Sequence, residues 1–310
     1  MYTTPSAVKK VITYDRVRNF HNVQTIKGLL SIIQEWFLIL ATAYFCEVYF
    51  SWPLYLLALV IIGARYLALG LIMHEAVHGL ISPNKTLNNI VGELFCAWPL
   101  FISMRSYRVK HLAHHAFLNT DKDPDFTAKT NSNWQYPMQF LKFIQVSIIQ
   151  LSGIGVFETL QVMSGAKVRI KNKEKTPLYY HLLRILFYVG IVSVFLALNQ
   201  GMLLVWYWII PFATWTQFTN RMRRVAEHSA IEGKSSEMQT RTTIHSFIAR
   251  FLLSPKNISY HNEHHIYPGV PCYNLPKLHQ ELTSIPELKD SLHISKSYQA
   301  VFKECVIKPN

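Results

Sequence analysis

Two long stretches without a lysine or arginine set the main constraint on this chain, one from Gly28 to Ala64 and the other from Ile185 to Asn220. Each is near the length of two bilayer crossings of about 20 residues with a tight turn between them. The turns are visible as Phe50-Ser51-Trp52-Pro53 and Asn199-Gln200-Gly201. The expected fold is all-α and multi-pass, with four transmembrane helices in two hairpins, 29–49 with 53–73 and 181–198 with 202–220. A composition of 50% apolar and 13% aromatic residues, with only mildly positive mean hydropathy, fits a membrane protein with a substantial aqueous part.

Charge orients the hairpins. Both short turns lack Lys and Arg, whereas Lys9, Lys10, Arg105, Arg108, Lys110, Arg221, Arg223 and Arg224 lie in the termini and the middle segment. The positive-inside bias places both termini and a cap of residues 74–180 and 221–310 in the cytoplasm. The net charge of +13 belongs to that face and suits anionic headgroups. Nucleic acid is not an expected partner, because the basic residues flank apolar spans and form no separate basic domain. No cleavable signal peptide is expected. Cys46, Cys96, Cys272 and Cys305 lack CxxC spacing and read as reduced thiols without a site role.

One domain, 1–310, accounts for the rest. A short interfacial helix is expected around Tyr14 to Phe20. Residues 88–103 are apolar but short for a span, which points to a re-entrant or interfacial helix. Asp121-Lys122-Asp123-Pro124-Asp125 breaks the helix that carries the second histidine cluster. Residues 136–163 suit an amphipathic helix in the membrane plane, and 243–253 a further helix before Pro255.

Histidines carry the chemistry. Eight of the 14 sit in three clusters: His74-Glu75-Ala76-Val77-His78, His111-Leu112-Ala113-His114-His115 and His261-Asn262-Glu263-His264-His265. Residues three and four apart share a helix face, so each cluster aims two or three imidazoles at one point. His228, about two turns beyond the second hairpin, makes nine. Neutral imidazole is the commonest metal ligand, and nine are too many for one tetrahedral ion. Imidazole accepts iron, zinc, copper or nickel, and open positions suit catalysis. Carboxylates beside the clusters are sparse, which argues against the Glu-rich di-iron design of soluble bundles.

HEAVH, HLAHH and HNEHH, in that order and placement, resemble the three histidine boxes of the membrane fatty acid desaturase and hydroxylase superfamily. The resemblance runs from His74 to His279. It includes Ala226-Glu227-His228, similar to the extra ligand site between boxes two and three, and the run Tyr267-Pro268 through Tyr273-Asn274-Leu275-Pro276. It implies a di-iron centre, two iron ions held by His74, His78, His111, His114, His115, His228, His261, His264 and His265. It also implies dioxygen as co-substrate and a membrane lipid or acyl chain as substrate. Where some structurally known relatives carry an Asn four residues before the extra histidine, this chain has Arg224, and its nearest upstream amide is Asn220.

The boxes do not separate desaturation from hydroxylation or ketonisation of lipids or carotenoid-like rings. HEAVH is also the H-E-x-x-H signature of zinc metalloproteases, with Glu75 as general base, but a protease has no use for seven further histidines. A non-catalytic metal carrier is a third reading. No haem segment, flavin fold, dinucleotide fingerprint or iron–sulfur Cys array is present, so electrons must come from a separate ferredoxin or small cytochrome with its reductase. His21, His181, His245, His279 and His293 are isolated and read as ordinary hydrogen-bonding side chains. Asp123 and Asp125 are candidates to brace box-two rings, and Asn257 to orient a box histidine or cap a helix. Arg65, inside the second span, is expected to pair with Glu47 or another polar group. Trp52, Trp206 and Trp215 read as bilayer anchors.

Overall fold

The structure is a computed structural model that describes residues 11–125, 131–157, 176–231 and 239–307. Lys9, Lys10 and the last residues of the expected 136–163 helix lie outside these. The first hairpin consists of α1 (Thr25–Val48) and α2 (Trp52–Val77). Ser51 starts α2, its hydroxyl accepting from the Leu54 amide, with Pro53 in the first turn, where its missing N–H costs nothing. Both helices outrun the expected spans, and α2 carries His74 to within one turn of its end.

After His78 the chain turns into α3 (Lys85–Val91), capped by Asn84. It continues through a π turn (Gly92–Ala97) and a short 3-10 turn (Trp98–Leu100), the segment expected as a re-entrant or interfacial helix. Phe101, at φ 59°, reverses the path. The chain bends by 94° into α4 (Met104–Phe117), which bears the second cluster. Gly92 makes this close approach possible, since a Cβ there would lie 2.6 Å from the Ala76 Cβ and 2.7 Å from the Met104 sulfur.

The helix expected to lie in the membrane plane is α5 (Phe140–Leu151). It buries Val146, Ser147 and Gln150 and exposes Leu141 and Ile148. The third apolar helix, α6 (Leu178–Ala197), has none of its apolar window buried by protein. In α2, 67% of the apolar stretch is buried, so α2 is the central post and α6 is the apolar helix left uncovered by protein. The stretch expected as a fourth span is helical but irregular. Gly201–Leu204 leads through π turns at Val205–Ile209 and Phe212–Thr216 into α7 (Gln217–His228). Among the described residues, three helices are long and apolar enough to cross a membrane, or four if the bent pair at Phe101 counts as one span.

The remainder is small elements: α8 (Phe247–Leu252), α9 (His261–Ile266), α10 (Leu275–Thr283) and α11 (Tyr298–Cys305). The chain is mostly helical, as expected, with two small strand pairs beside the helices. Strands β1 (Met138–Gln139) and β4 (Val306–Ile307) pair in parallel, as do β2 (Arg241–Thr243) and β3 (His293–Ser295). Such short pairs carry no helical or alternating pattern to read; they exist because distant segments are laid side by side. The short entry helix is one turn, Tyr14–Val17, followed by a 3-10 turn to His21. Trp215 is no simple anchor, for it wedges against Gly63 of α2, where a Cβ would come within 2.7 Å of its own.

Arg65 pairs with Glu35 of α1, not Glu47. Its Nη1 lies 3.0 Å from Glu35 Oε2, and Lys256 Nζ reaches Oε1 at 2.6 Å. Arg65 also donates to the Phe251 carbonyl and covers the Phe251 ring. Glu47 instead accepts from the Tyr207 hydroxyl at 2.6 Å. Glu35 is completely buried and Arg65 nearly so, and together with Lys256 they tie the segment before the third cluster to the first hairpin. Replacing Glu35 by Ala leaves two cations unpaired in a low-dielectric site and should cost about 3–5 kcal/mol. A detergent-solubilised unfolding midpoint equal to that of the parent protein would contradict the pairing.

Candidate metal centre

Each cluster arrives on its own support. His74 and His78 hang from the last turn of α2. That end is held by Arg108 of α4, whose guanidinium donates to the carbonyls of Ala76 (3.1 Å) and Val77 (3.3 Å). Asn88 donates to the same Ala76 carbonyl at 2.8 Å and accepts from the Ile81 amide at 3.2 Å. Helix α4 starts where buried Glu93 accepts from the amides of Met104 (3.2 Å) and Arg105 (3.1 Å), a carboxylate at a helix N-terminus. Arg108 therefore registers the second cluster directly against the first. In the sequence it counted only as a topology charge.

All nine histidines read from the sequence come together. Ligand atoms of His74, His78, His111, His115 and His264 lie within 4.8 Å of one another, and so do those of His114, His228 and His265. His261 joins the second set through His228, Nε2 to Nε2 at 2.8 Å, and through His265 at 3.1 Å. In the first set, His78 faces His111 at 2.9 Å, His111 faces His115 at 3.0 Å, and His115 faces His264 at 3.0 Å, again Nε2 to Nε2. Two imidazoles bound at right angles to one ion, each about 2.1 Å from it, have nitrogens about 3.0 Å apart. The donors present therefore fit a pair of metal ions of the imidazole-accepting kind.

Electrostatics agree. Burial, and after it the neighbouring rings, holds His261, His264 and His265 well below the ordinary histidine range. These rings are thus neutral near pH 7, the form that binds metal. The outward nitrogen of His114 contacts Asp123 Oδ1 at 2.9 Å, so Asp123 does brace a box-two ring. Asp125 does not. Its carboxylate lies 3.6 Å from Arg224, and its amide donates to Asp123.

Other expectations are revised. Asn257, left-handed at φ 54°, donates to the Cys272 carbonyl at 3.0 Å and orients no box ring. Glu75 accepts from the Cys272 amide at 2.7 Å, which pins the Pro-containing segment beneath the first cluster. His279 is the expected hydrogen-bonding side chain: its Nδ1 meets fully buried Glu263 at 2.6 Å, and Glu263 also accepts from Thr242 of β2 at 2.5 Å. That network fixes the rotation of α9. His293 bonds Glu304 at 2.8 Å, His245 stacks on Tyr298, and His21 and His181 lie beside tyrosines. A cavity of about 710 Å³ borders His228, with Asn119, Tyr136, Gln239, His293 and Glu304 in its mixed lining.

Comparison with known proteins decides the family. A family model described as fatty acid desaturase matches residues 50–296, most of the chain and all nine histidines. The chain belongs to the fatty acid desaturase family. It is 32% identical to a dihydrorhizobitoxine desaturase of Bradyrhizobium elkanii over 73% of this chain and 67% of that one. It is 26% identical to a beta-carotene ketolase of a Paracoccus species over 69% and 76%. An omega-6 fatty acid desaturase from chloroplasts of Glycine max is 23% identical over 74% of this chain but only 57% of its own length. This family member is accordingly a desaturase-type oxidoreductase and a membrane protein.

Replacing Asp123 by Ala should weaken metal binding about 10–100-fold, read by chelator competition, because His114 loses the partner that orients it. In chelator-stripped protein the unfolding midpoint should fall as pH drops below the ordinary histidine value of 6.5. Unfolded imidazoles then take up protons that the buried rings refuse, so stability is present above that pH and lost below it. A midpoint flat between about pH 7.5 and about 5.5 would count against burial of neutral rings.

Proposed function

We propose that the chain is a dioxygen-dependent lipid desaturase that introduces a double bond into a fatty acyl chain at a di-iron centre. The nine converging imidazoles are the observation that carries this reading. His74, His78, His111, His115 and His264 would hold one iron, and His114, His228, His261 and His265 the other. When bound, the irons supply the reduction of dioxygen and an oxidant strong enough for an unactivated C–H bond. The chain's own residues do the rest. Asp123 keeps His114 turned inward, Arg108 and Glu93 keep α4 in register with α2, and the Glu263 network keeps α9 from rotating. The apolar hairpins bring an acyl chain to the level of the histidines, and burial of the rings excludes bulk water.

Membership of the fatty acid desaturase family and three bilayer-length helices support a multi-pass protein in one membrane-embedded unit. The Lys and Arg bias supports four spans with both termini and the histidines on the cytoplasmic side. Electrons would come from a separate ferredoxin or small cytochrome and its reductase, with the basic inner face as its dock. An omega-3 acyl-lipid desaturase of Synechocystis named for ferredoxin, 32% identical over 31% of this chain, favours the ferredoxin. The similarity to a beta-carotene ketolase favours a second reading, oxygen insertion on the same scaffold.

Replacing His114 or His264 by Ala should abolish lipid oxidation while the protein remains in the membrane. Full activity in both variants would refute the assignment. Purified protein should carry about two irons per chain by elemental analysis, and a reproducible single zinc would instead favour a protease or carrier. Mass spectrometry of lipids from cells with and without the chain separates the readings, since desaturation removes two hydrogens and hydroxylation adds one oxygen.

A further inference from the structure

The two groups of histidines are not alike. One offers five imidazoles, His74, His78, His111, His115 and His264, and the other offers four, His114, His228, His261 and His265. Glu227 completes a third set of mutually close ligand atoms with His228 and His261. We propose that Glu227 is a ligand in the second group, so that one cation pocket is all imidazole and the other mixes imidazole with a carboxylate. The inference rests on the dimetal reading above and adds this chain's own donor to it.

Three observations carry it. The first is direction. Asp123 approaches the outward Nδ1 of His114, the usual position of a carboxylate that braces a ring from behind. Glu227 instead approaches the inward side, its Oε2 3.7 Å from His261 Nε2, the nitrogen that also faces His228 and His265. That is too long for a hydrogen bond. It suits two donors on one ion, because atoms about 2.1 Å from a metal and roughly 120° apart are separated by about 3.6 Å.

The second observation is how the carboxylate is held. Arg223, one turn earlier on α7, places a single nitrogen 3.0 Å and 2.8 Å from the two oxygens, and its other terminal nitrogen bonds Asn220 at 3.3 Å. A carboxylate has about four lone-pair sites, so this clamp fixes its plane and leaves capacity for a metal. The third is burial. Glu227 is only 3% exposed, and it is the carboxylate that shares a set of close ligand atoms with these rings among the described residues. A buried carboxylate gains from each cation within reach, and a bound metal would add a second to Arg223.

Mössbauer spectra of 57Fe-loaded, reduced protein test this without an activity assay. The parent chain should hold two irons that give two distinct doublets of equal area. Glu227→Gln, close in shape but neutral, should lose or shift one doublet and leave the other unchanged, with iron content falling toward one per chain. Glu227→Asp keeps the charge but draws the oxygens back, and should move the same doublet should the Gln variant fail to accumulate. If neither variant alters a doublet or the iron content, Glu227 is no ligand and the inference is overturned. A parent chain that holds two irons in a single doublet also overturns it. A parent chain that binds no pair of irons would sink the dimetal reading and this inference with it.

Discussion

The structure depends on burying nitrogen against nitrogen. A neutral imidazole has one donor and one acceptor, and the inward Nε2 atoms of His78, His111, His115 and His264 meet one another in a row at 2.9–3.0 Å. Lone pairs gathered in this way repel unless protons or cations lie between them. Burial disfavours a second, charging proton on any ring, and lone pairs gathered in this way suit a metal ion. Everything nearby resists the spreading that such a cluster would otherwise undergo.

That resistance is transmitted through polar groups in apolar surroundings. Arg108 on α4 fills the carbonyls left open at the end of α2, so the first two clusters cannot slide independently. Glu35, Arg65 and Lys256 fasten the segment ahead of α9 to the first hairpin. Glu75 and Asn257 grip the Cys272 peptide from its amide and carbonyl sides. Unpaired, each of these groups would be costly in its site, which makes every one of them a specific link between elements far apart in sequence.

The small parallel strand pairs serve the same end. β2 lies beside α9 and supplies Thr242 to Glu263, while β3 gives the His293 carbonyl to Asn262. Two residues of the third cluster that bear no imidazole in the centre, Asn262 and Glu263, are thus what orient the three that do. Arg241, completely buried, donates to carbonyls at the end of α7, including Ala226 at 2.9 Å, and so holds the His228 end against the same strand.

The sequence by itself determined the apolar hairpins, the interrupted segment before α4 and the identity of the eight clustered histidines. Each of these is a local signal: absence of charge over a bilayer's length, or spacing of three and four on a helix. It also marked Asp123 as a brace for a box-two ring, and Arg65, Asn257 and Glu75 as unusual without their partners. Tertiary structure alone decided that Arg65 meets Glu35, that Asn257 meets Cys272, that His279 serves Glu263, and that Glu227 turns toward the rings. Those pairings join residues that no periodicity relates, so they arise only when packed helices fix which side chains share a space.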